Sequence, residues 1–591
     1  MPAAESTAPP SRADLWRVVA LVLFAVALAA RLVALSRLSG SPFFLPDSGD
    51  MRFYLDWAER IRAGVPQEGA FYGLPGYAYL LAGFLAIGAG SPFLILLAQC
   101  MLDAGIALLI FLTAGRLTAD RRIGLAIGGI GAALWIFCIP AQAFAITLMP
   151  TTWGTFLLWA LALGMLHTPA RRTTRWFLVG FAAGLSALVL SNLLMLIPFG
   201  LGKLLFSRDA EGERRGWSGV RPRLVAACFL LLGAATGTAP VWGFHRFVVR
   251  EPVFLSAHSG LNFFIGNNPA ANGYPKTPPG MRASQRGMLR DSIALAEQEA
   301  GRPLTRSEVS AHWNAKASRF LREHPGGWGR LQLTKLFRFW NQFRYDDVGV
   351  IVLLREAGIL IPGPGWGAIA WIGLPALLLG LLLHPPARPV IAVVLLHLAS
   401  LLPVFVTERY RLPAAPGLCL LGAWMGVTTL LHLAQRRWRF PALATGATLL
   451  ATPVVLRPCK EPELLALEPY NAGIHALRRG DLALAAPKLE AASEMVPENA
   501  EIQFAMGNLL LARGDSIGAR QRYRRAIEIN PRHEGAWNNL GYIALNEGRA
   551  ELAIRFLETS SALDPEDDTT RELLERARQS LAPSPHPPSN P

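Results

Sequence analysis

The stretch LPDSGDMRFYLDWAERIRAG, Leu45–Gly64, decides how the first part of the chain is read. Before it lies an apolar run, Leu15–Leu35, long enough to cross a hydrocarbon core of about 30 Å. After it comes Tyr77–Ile87, an apolar piece too short to cross, which suits a helix in or re-entering the outer leaflet. Inside the stretch, Phe53, Tyr54, Trp57 and Ile61 recur every three or four residues and form one face of a short helix. Arg52, Asp56, Glu59, Arg60 and Arg62 form the other. Such a helix is expected to lie on the membrane surface with its aromatic side down. Pro46 and Gly49 break the chain just before it, so Asp50 falls at its N-terminus with Asp47 close by.

Composition supports a membrane reading. The chain has 591 residues, 52% hydrophobic and 17% charged, which is too apolar for one soluble domain of this length. Its net charge of +15 is read as topology, with Arg clusters marking cytoplasmic loops, and nucleic acid is not an expected partner. Of five cysteines, Cys100, Cys138, Cys228 and Cys419 sit in apolar runs and Cys459 just beyond the last. No C-x-x-C spacing suggests zinc or a disulfide framework.

Working outward, the expected spans are 15–36, 91–115, 122–139, 146–167, 176–190, 191–206, 224–246, 366–383, 389–406, 412–432 and 440–456, about eleven in all. With residues 1–14 as a cytoplasmic tail, the Arg-rich connections at 116–122, 168–175, 207–223, 384–388 and 433–439 all fall inside. The loops 37–90 and 248–362 then lie on the outer face, as does everything after 456. The expected setting is a bacterial inner membrane, crossed many times, with the C-terminal part on the periplasmic side.

That C-terminal part repeats. Gly473, Gly507 and Gly541 are 34 residues apart, as are Ala485, Ala519, Ala553 and Pro497, Pro531, Pro565. Small residues let paired helices cross closely, and the proline ends the second helix of each pair. Gly480, Gly514 and Gly548 add a turn in register. The pattern is that of three tetratricopeptide repeats over about 466–567, an α-solenoid, with 568–581 as a capping helix. Such arrays commonly bind a protein or peptide partner. The tail 582–591 reads as disordered. The fold class is therefore mainly α: a polytopic membrane domain, 15–456, followed by a repeat domain, 466–581.

Three segments could carry chemistry. Asp50, with Asp47 as second choice, is either a helix N-cap or a general base at the membrane boundary. In TERYRLPAAP, Thr407–Pro416, Arg409 and Arg411 stand at the outer end of a span, against the inside bias of basic residues. They either snorkel to headgroups or bind the phosphate of a lipid-linked sugar donor, with Tyr410 beside them. In SGLNFFIGNNPAANG, Ser259–Gly273, the asparagines Asn262, Asn267 and Asn268 fit turns or sugar hydroxyls equally. In Leu333–Asp347, Lys335, Arg338 and Arg344 alternate with aromatics, as interfacial anchors do, with contact to a lipid phosphate as the alternative. Neither His258 nor His312 has a partner at metal-ligand spacing.

The pattern D-x-x-x-Y-x-x-W-A-x-x-I-x-x-G from Asp50, followed by YGLPGYAYLLAGFLAIGAGSPF, resembles bacterial relatives of the dolichyl-phosphate-mannose–protein mannosyltransferases. These are polytopic glycosyltransferases of the GT-C type, family thirty-nine. The resemblance covers roughly 15–433, and Ser259–Gly273 is similar to a segment of the subset that also carries repeats. It implies an inverting transfer from a polyprenyl-phosphate sugar donor, Asp50 as the base, Arg409, Arg411 and Tyr410 at the donor phosphate, and Tyr54 and the three asparagines at substrate. Two departures stand out: Phe144–Trp153 has no second acidic residue, and Leu190–Leu196 lacks an Arg-Pro pair. No cofactor is firmly implied; a divalent cation is left open, with no metal ligands assigned. Competing readings are an oligosaccharide ligase or polymerase with a lipid-pyrophosphate donor, and a non-catalytic repeat-bearing membrane scaffold.

Overall fold

The computed structural model describes residues 12–46, 49–206, 217–282, 285–565 and 567–581, and among them the chain is helical with no strand. Asp47, most of the N-terminal tail and the tail 582–591 lie outside the described residues. The chain divides into two compact units: 1–276 with 293–458, and 277–292 with 459–591.

In the first unit, every segment expected to span is helical, but the number of spans differs. Five helices are long and apolar enough to cross: Leu15–Ser39, Phe93–Ala114, Val220–Val249, Trp366–Leu383 and Glu408–Ala434. The pair Arg121–Ile136 and Ile139–Ala145, bent by 62°, makes a sixth if taken as one span. Among the described residues the count is thus five to six and not eleven. Most of the rest are shorter than apolar run length suggests, because part of the run folds as turn, while Arg439–Val455 is helical throughout at 17 residues. Thr151–His167 has 17 residues, since Ile146–Pro150 turns before it, and Thr173–Ala187 has 15. Pro75–Ile87, at 13 residues, is short as expected.

Small residues set the closest packing. A Cβ on Gly180 or Gly184 would stand 2.2 or 2.3 Å from the carbonyls of Leu230 and Ala234. One on Gly233 or Gly237 would meet the carbonyls of Phe177 and Phe181 at 2.2 Å. Two small-x-x-x-small faces therefore bring Thr173–Ala187 and Trp217–Gly243 into backbone contact, the usual device where lipid gives helices no hydrophobic drive to associate. Elsewhere Arg31 and Asp103 pair at 2.6 Å, both buried, and Arg31 also donates to the Ile136 carbonyl at 2.7 Å. This ties three apolar helices together, at the end of Arg121–Ile136.

The helix Gly49–Arg62 differs from expectation in one respect. Its aromatic face packs on protein: Tyr54 meets Tyr77 edge-on at 5.2 Å, and Trp57 meets Phe71 at 5.9 Å. The short apolar helix Pro75–Ile87 supplies a protein surface for the rings, so they do not depend on lipid for burial.

In the second unit, three helix pairs and a final helix, Asp568–Leu581, form the array: Leu467–Arg478 with Leu482–Met495, Ala500–Ala512 with Ser516–Ile529, Glu534–Asn546 with Ala550–Leu563. The period has a steric cause. A Cβ at Gly473, Gly507 or Gly541 would stand 2.7, 2.5 and 2.5 Å from side-chain atoms of Leu489, Tyr523 and Leu557 on the paired helix. Gly480, Gly514 and Gly548 take φ of +75°, +83° and +74° at the turns, where a side chain would be strained. The unit also contains Thr277–Ser292, a piece of the long loop. Asp291, fully buried, accepts from the Arg282 main-chain N–H at 2.8 Å, from Arg282 Nε at 2.9 Å and from Arg532 Nη2 at 2.9 Å. Arg282 Nη1 donates to the Leu563 carbonyl at 3.1 Å.

Candidate functional site

The site lies in the first unit, where the segments 49–90 and 248–362 meet. Backbone pairing joins them: the Ala257 N–H donates to the Phe71 carbonyl at 2.8 Å, and the His258 N–H to the Tyr72 carbonyl at 3.1 Å. A second pairing joins the start of Glu408–Ala434 to the late loop. There the Glu408 N–H donates to the Tyr345 carbonyl and the Val406 N–H to the Gly273 carbonyl, both at 3.0 Å. These pairings bring Asp50, Tyr72, His258, Asp347 and Arg409 together from five separate segments.

Arg409 is the hub. Its Nη1 stands 2.8 Å from Asp50 Oδ2 and its Nη2 2.7 Å from Asp347 Oδ2. One guanidinium thus holds two carboxylates, a geometry that its planar fork suits and lysine does not. Tyr410 lies under the same cation, 5.0 Å from ring centre to the Arg409 Cζ. Burial pushes the Asp347 carboxyl up to about 6, against the opposing pull of Arg409 and with a further push from Asp50. Burial, reinforced by Asp50, also raises the hydroxyls of Tyr54 and Tyr72, so both stay protonated at neutral pH.

The two arginines of the RYR segment have different fates. Arg411 is almost fully buried, with Nη1 donating to the carbonyls of Arg338 at 3.2 Å and Asn341 at 2.7 Å. Its Nη2 donates to the Phe343 carbonyl at 2.9 Å and to Glu408 Oε2 at 2.5 Å, and its plane lies 4.7 Å from the Trp366 ring. A donor phosphate would have to displace these partners, so the phosphate role expected of Arg411 does not fit its surroundings. Arg411 fastens the loop that carries Asp347. The expectation that Arg409 clamps phosphate meets a guanidinium already shared by two acids.

The asparagines divide similarly. Asn267 is buried, donating to the carbonyls of Pro403 at 2.6 Å and Phe263 at 2.9 Å and accepting from Trp328 Nε1 at 3.2 Å. Asn268 donates to the Phe264 carbonyl and accepts from the Ala270 N–H. Both serve the turn after Ser259–Gly266, the turn reading of this loop, and their expected sugar contacts are displaced by their own chain. Asn262 is half-buried within that helix, one turn after His258. Tyr54 is half-buried a turn beyond Asp50 and close enough to feel its charge.

Asp347 was not singled out from the sequence, and it supplies the second carboxylate that Phe144–Trp153 lacks. Its neighbour Asp346 is different: its oxygens accept from the main-chain N–H groups of Gly349 at 3.1 Å and Ile351 at 2.7 Å, holding the start of Val350–Glu356. The RYDD tetrapeptide gives no sign which aspartate faces inward and which faces its own backbone. Among the described residues no group of three His, Cys, Asp or Glu could hold a metal ion. Arg409 occupies the place a divalent cation would need between Asp50 and Asp347, so these residues do not fit one.

Comparison with known proteins identifies the repeats. The tetratricopeptide repeat family model matches residues 470–516 and 504–568. A TPR repeat-containing protein of Pseudomonas aeruginosa is 35% identical over 21% of this chain and 48% of its own length. The peroxisomal targeting signal receptor of Kluyveromyces lactis is 32% identical over 16% of this chain and 15% of its own. The chain thus spans about half the length of the first of these relatives and less of the other. Among solved structures, the Archaeoglobus fulgidus oligosaccharyltransferase in the apo form is 13% identical, covering 80% of this chain and 59% of that one, with a TM-score of 0.37. A likeness that low carries no argument about fold or activity.

Proposed function

We propose that the chain is a membrane glycosyltransferase that moves a sugar from a polyprenyl-phosphate donor to an acceptor on the outer face, with Asp50 as general base. The observation that carries this reading is the Asp50–Arg409–Asp347 bridge at the end of the apolar helix Glu408–Ala434. Acid and membrane are neighbours there because the donor is a lipid and the acceptor arrives from water. Asp50 takes the proton of the acceptor hydroxyl or amide as it attacks the anomeric carbon, and the sugar–phosphate bond breaks with inversion. Arg409 positions Asp50 and, through Asp347, fixes the far side of the site. The leaving phosphate is stable, so catalysis needs mainly orientation and charge placement. In this reading the repeats recruit a protein acceptor or partner on the periplasmic side.

The test is complementation. Mass spectrometry of surface glycans in a deletion strain is expected to show one lost glycoform, restored by the wild-type gene and not by Asp50→Asn. Restoration by Asp50→Asn at normal protein levels would favour the scaffold reading, which the tetratricopeptide match alone also accommodates.

A further inference from the structure

Two buried polar atoms beside Asp50 have no hydrogen-bond partner: Tyr72 Oη and His258 Nε2. Their rings stack, with centroids 4.2 Å apart and planes 18° apart, so both atoms belong to one rigid pair. The surroundings hold that pair in place. The main chains of 71–72 and 257–258 are hydrogen-bonded to each other, Ser256 Oγ donates to the Tyr72 carbonyl, and Arg306 Nη1 donates to the Ala70 carbonyl at 2.6 Å. The Phe71 N–H donates to His245 Nε2 at 3.0 Å. Backbone needs are thus met around two side chains that are left unmet. Buried unpaired polar atoms are rare in folded proteins and cluster where a ligand completes them.

Both groups are neutral. Burial pushes the His258 imidazole down to about 4 and the Tyr72 hydroxyl up, and the charge of Asp50 reaches both rings. A neutral pair makes a poor phosphate clamp and a poor base. It suits a hydroxyl, which donates once and accepts twice and so satisfies a phenol and an imidazole together.

We infer that Tyr72 Oη and His258 Nε2 together hold one hydroxyl of a sugar ring next to Asp50, either on the donor or on a glycan acceptor. This rests on the glycosyl-transfer reading above.

The experiment uses the full chain in native membranes, measuring transfer of label from the endogenous lipid-phosphate sugar pool to acceptor, with melting of the purified protein alongside. Tyr72→Phe and His258→Phe keep the stacked rings and remove the polar atoms. Each is expected to lower transfer tenfold or more, and the double variant to be little worse than either single one. Melting should be unchanged or higher, because the Tyr72 oxygen has no partner to lose. Restoration by excess donor assigns the hydroxyl to the donor sugar; restoration by excess acceptor assigns it to the acceptor. Wild-type transfer in both variants while Asp50→Asn is inactive would overturn the pair and leave the function standing. Losses that multiply in the double variant and follow a drop in melting would also overturn it. Wild-type transfer by Asp50→Asn would overturn both.

Discussion

Two arginine–carboxylate networks, one taken from each unit, are built from the same groups and end differently. In the repeat unit, Asp291 is covered by Arg282 and Arg532, and Arg282 has a main-chain carbonyl besides. In the candidate site, Arg409 holds Asp50 and Asp347, and around it Arg409 Nε, Tyr72 Oη and His258 Nε2 have no partner. The Asp291 network gains by closing on itself, since every buried group left over costs free energy. One that serves a ligand keeps groups in reserve. The comparison predicts that changes in the first network show in stability and changes in the second show in transfer.

The largest separation is expected from Asp291→Ala, which removes the buried acid between Arg282 and Arg532 and leaves Arg282 with the looser approach of Glu534 at 3.5 Å. It should cost the repeat unit about 3–5 kcal/mol, read by denaturant unfolding of the full chain. A cost below about 1 kcal/mol would mean the loop segment Thr277–Ser292 is not fastened there. Next comes Arg409→Ala. Asp50 and Asp347 are partly exposed, so the stability cost should be smaller, about 2–3 kcal/mol, while transfer falls at least a hundredfold. Equal losses in the two readouts would erase the distinction between the networks.

A smaller effect is expected with pH. Asp347 titrates near 6, so at neutral pH it is ionised and grips Arg409. Lowering the pH through 6 protonates it, Arg409 loses one acid, and transfer should fall roughly tenfold by about pH 5. Asp347→Asn should remove that acid limb. Stability moves the other way for this group. Its native value lies above the ordinary carboxylate range, so the native state binds the proton more tightly, and the group's contribution rises as pH falls from about 6 towards 4. The smallest test contrasts two tyrosines. Tyr523 in the array donates to Asn508 Oδ1 at 2.8 Å and accepts from Asn539 Nδ2 at 3.1 Å. Tyr523→Phe should therefore cost about 1 kcal/mol in unfolding, where Tyr72→Phe costs nothing.

The two units also differ in how far they can be read from sequence. In the array each position repeats every 34 residues, and each glycine meets a side chain of its own helix pair, so local spacing carries the whole fold. The apolar helices of the first unit are legible as elements. Their lengths are not, because a turn such as Ile146–Pro150 is as apolar as the helix it precedes. In the site, Asp50, Tyr54 and Arg409 stand out by spacing and position. Asp347, Tyr72 and His258 do not, since they reach Asp50 only through pairing between distant loops. Arg411 and Asn267 look functional in sequence because buried structural anchors and ligand contacts use the same residue types. The attachment of Thr277–Ser292 to the repeat unit has no signature in the sequence at all.

The central claim is that Asp50 activates an acceptor against a lipid-phosphate sugar. Its most direct measurement is the release of polyprenyl phosphate, coupled one-for-one to labelled product, by membranes carrying wild type or Asp50→Asn at matched levels. The account predicts release with wild type and a loss of about 10²–10⁴-fold with Asp50→Asn, with a smaller drop in melting than Arg409→Ala causes. Equal release by the two proteins, or none by either in membranes that supply both donor and acceptor, would contradict it.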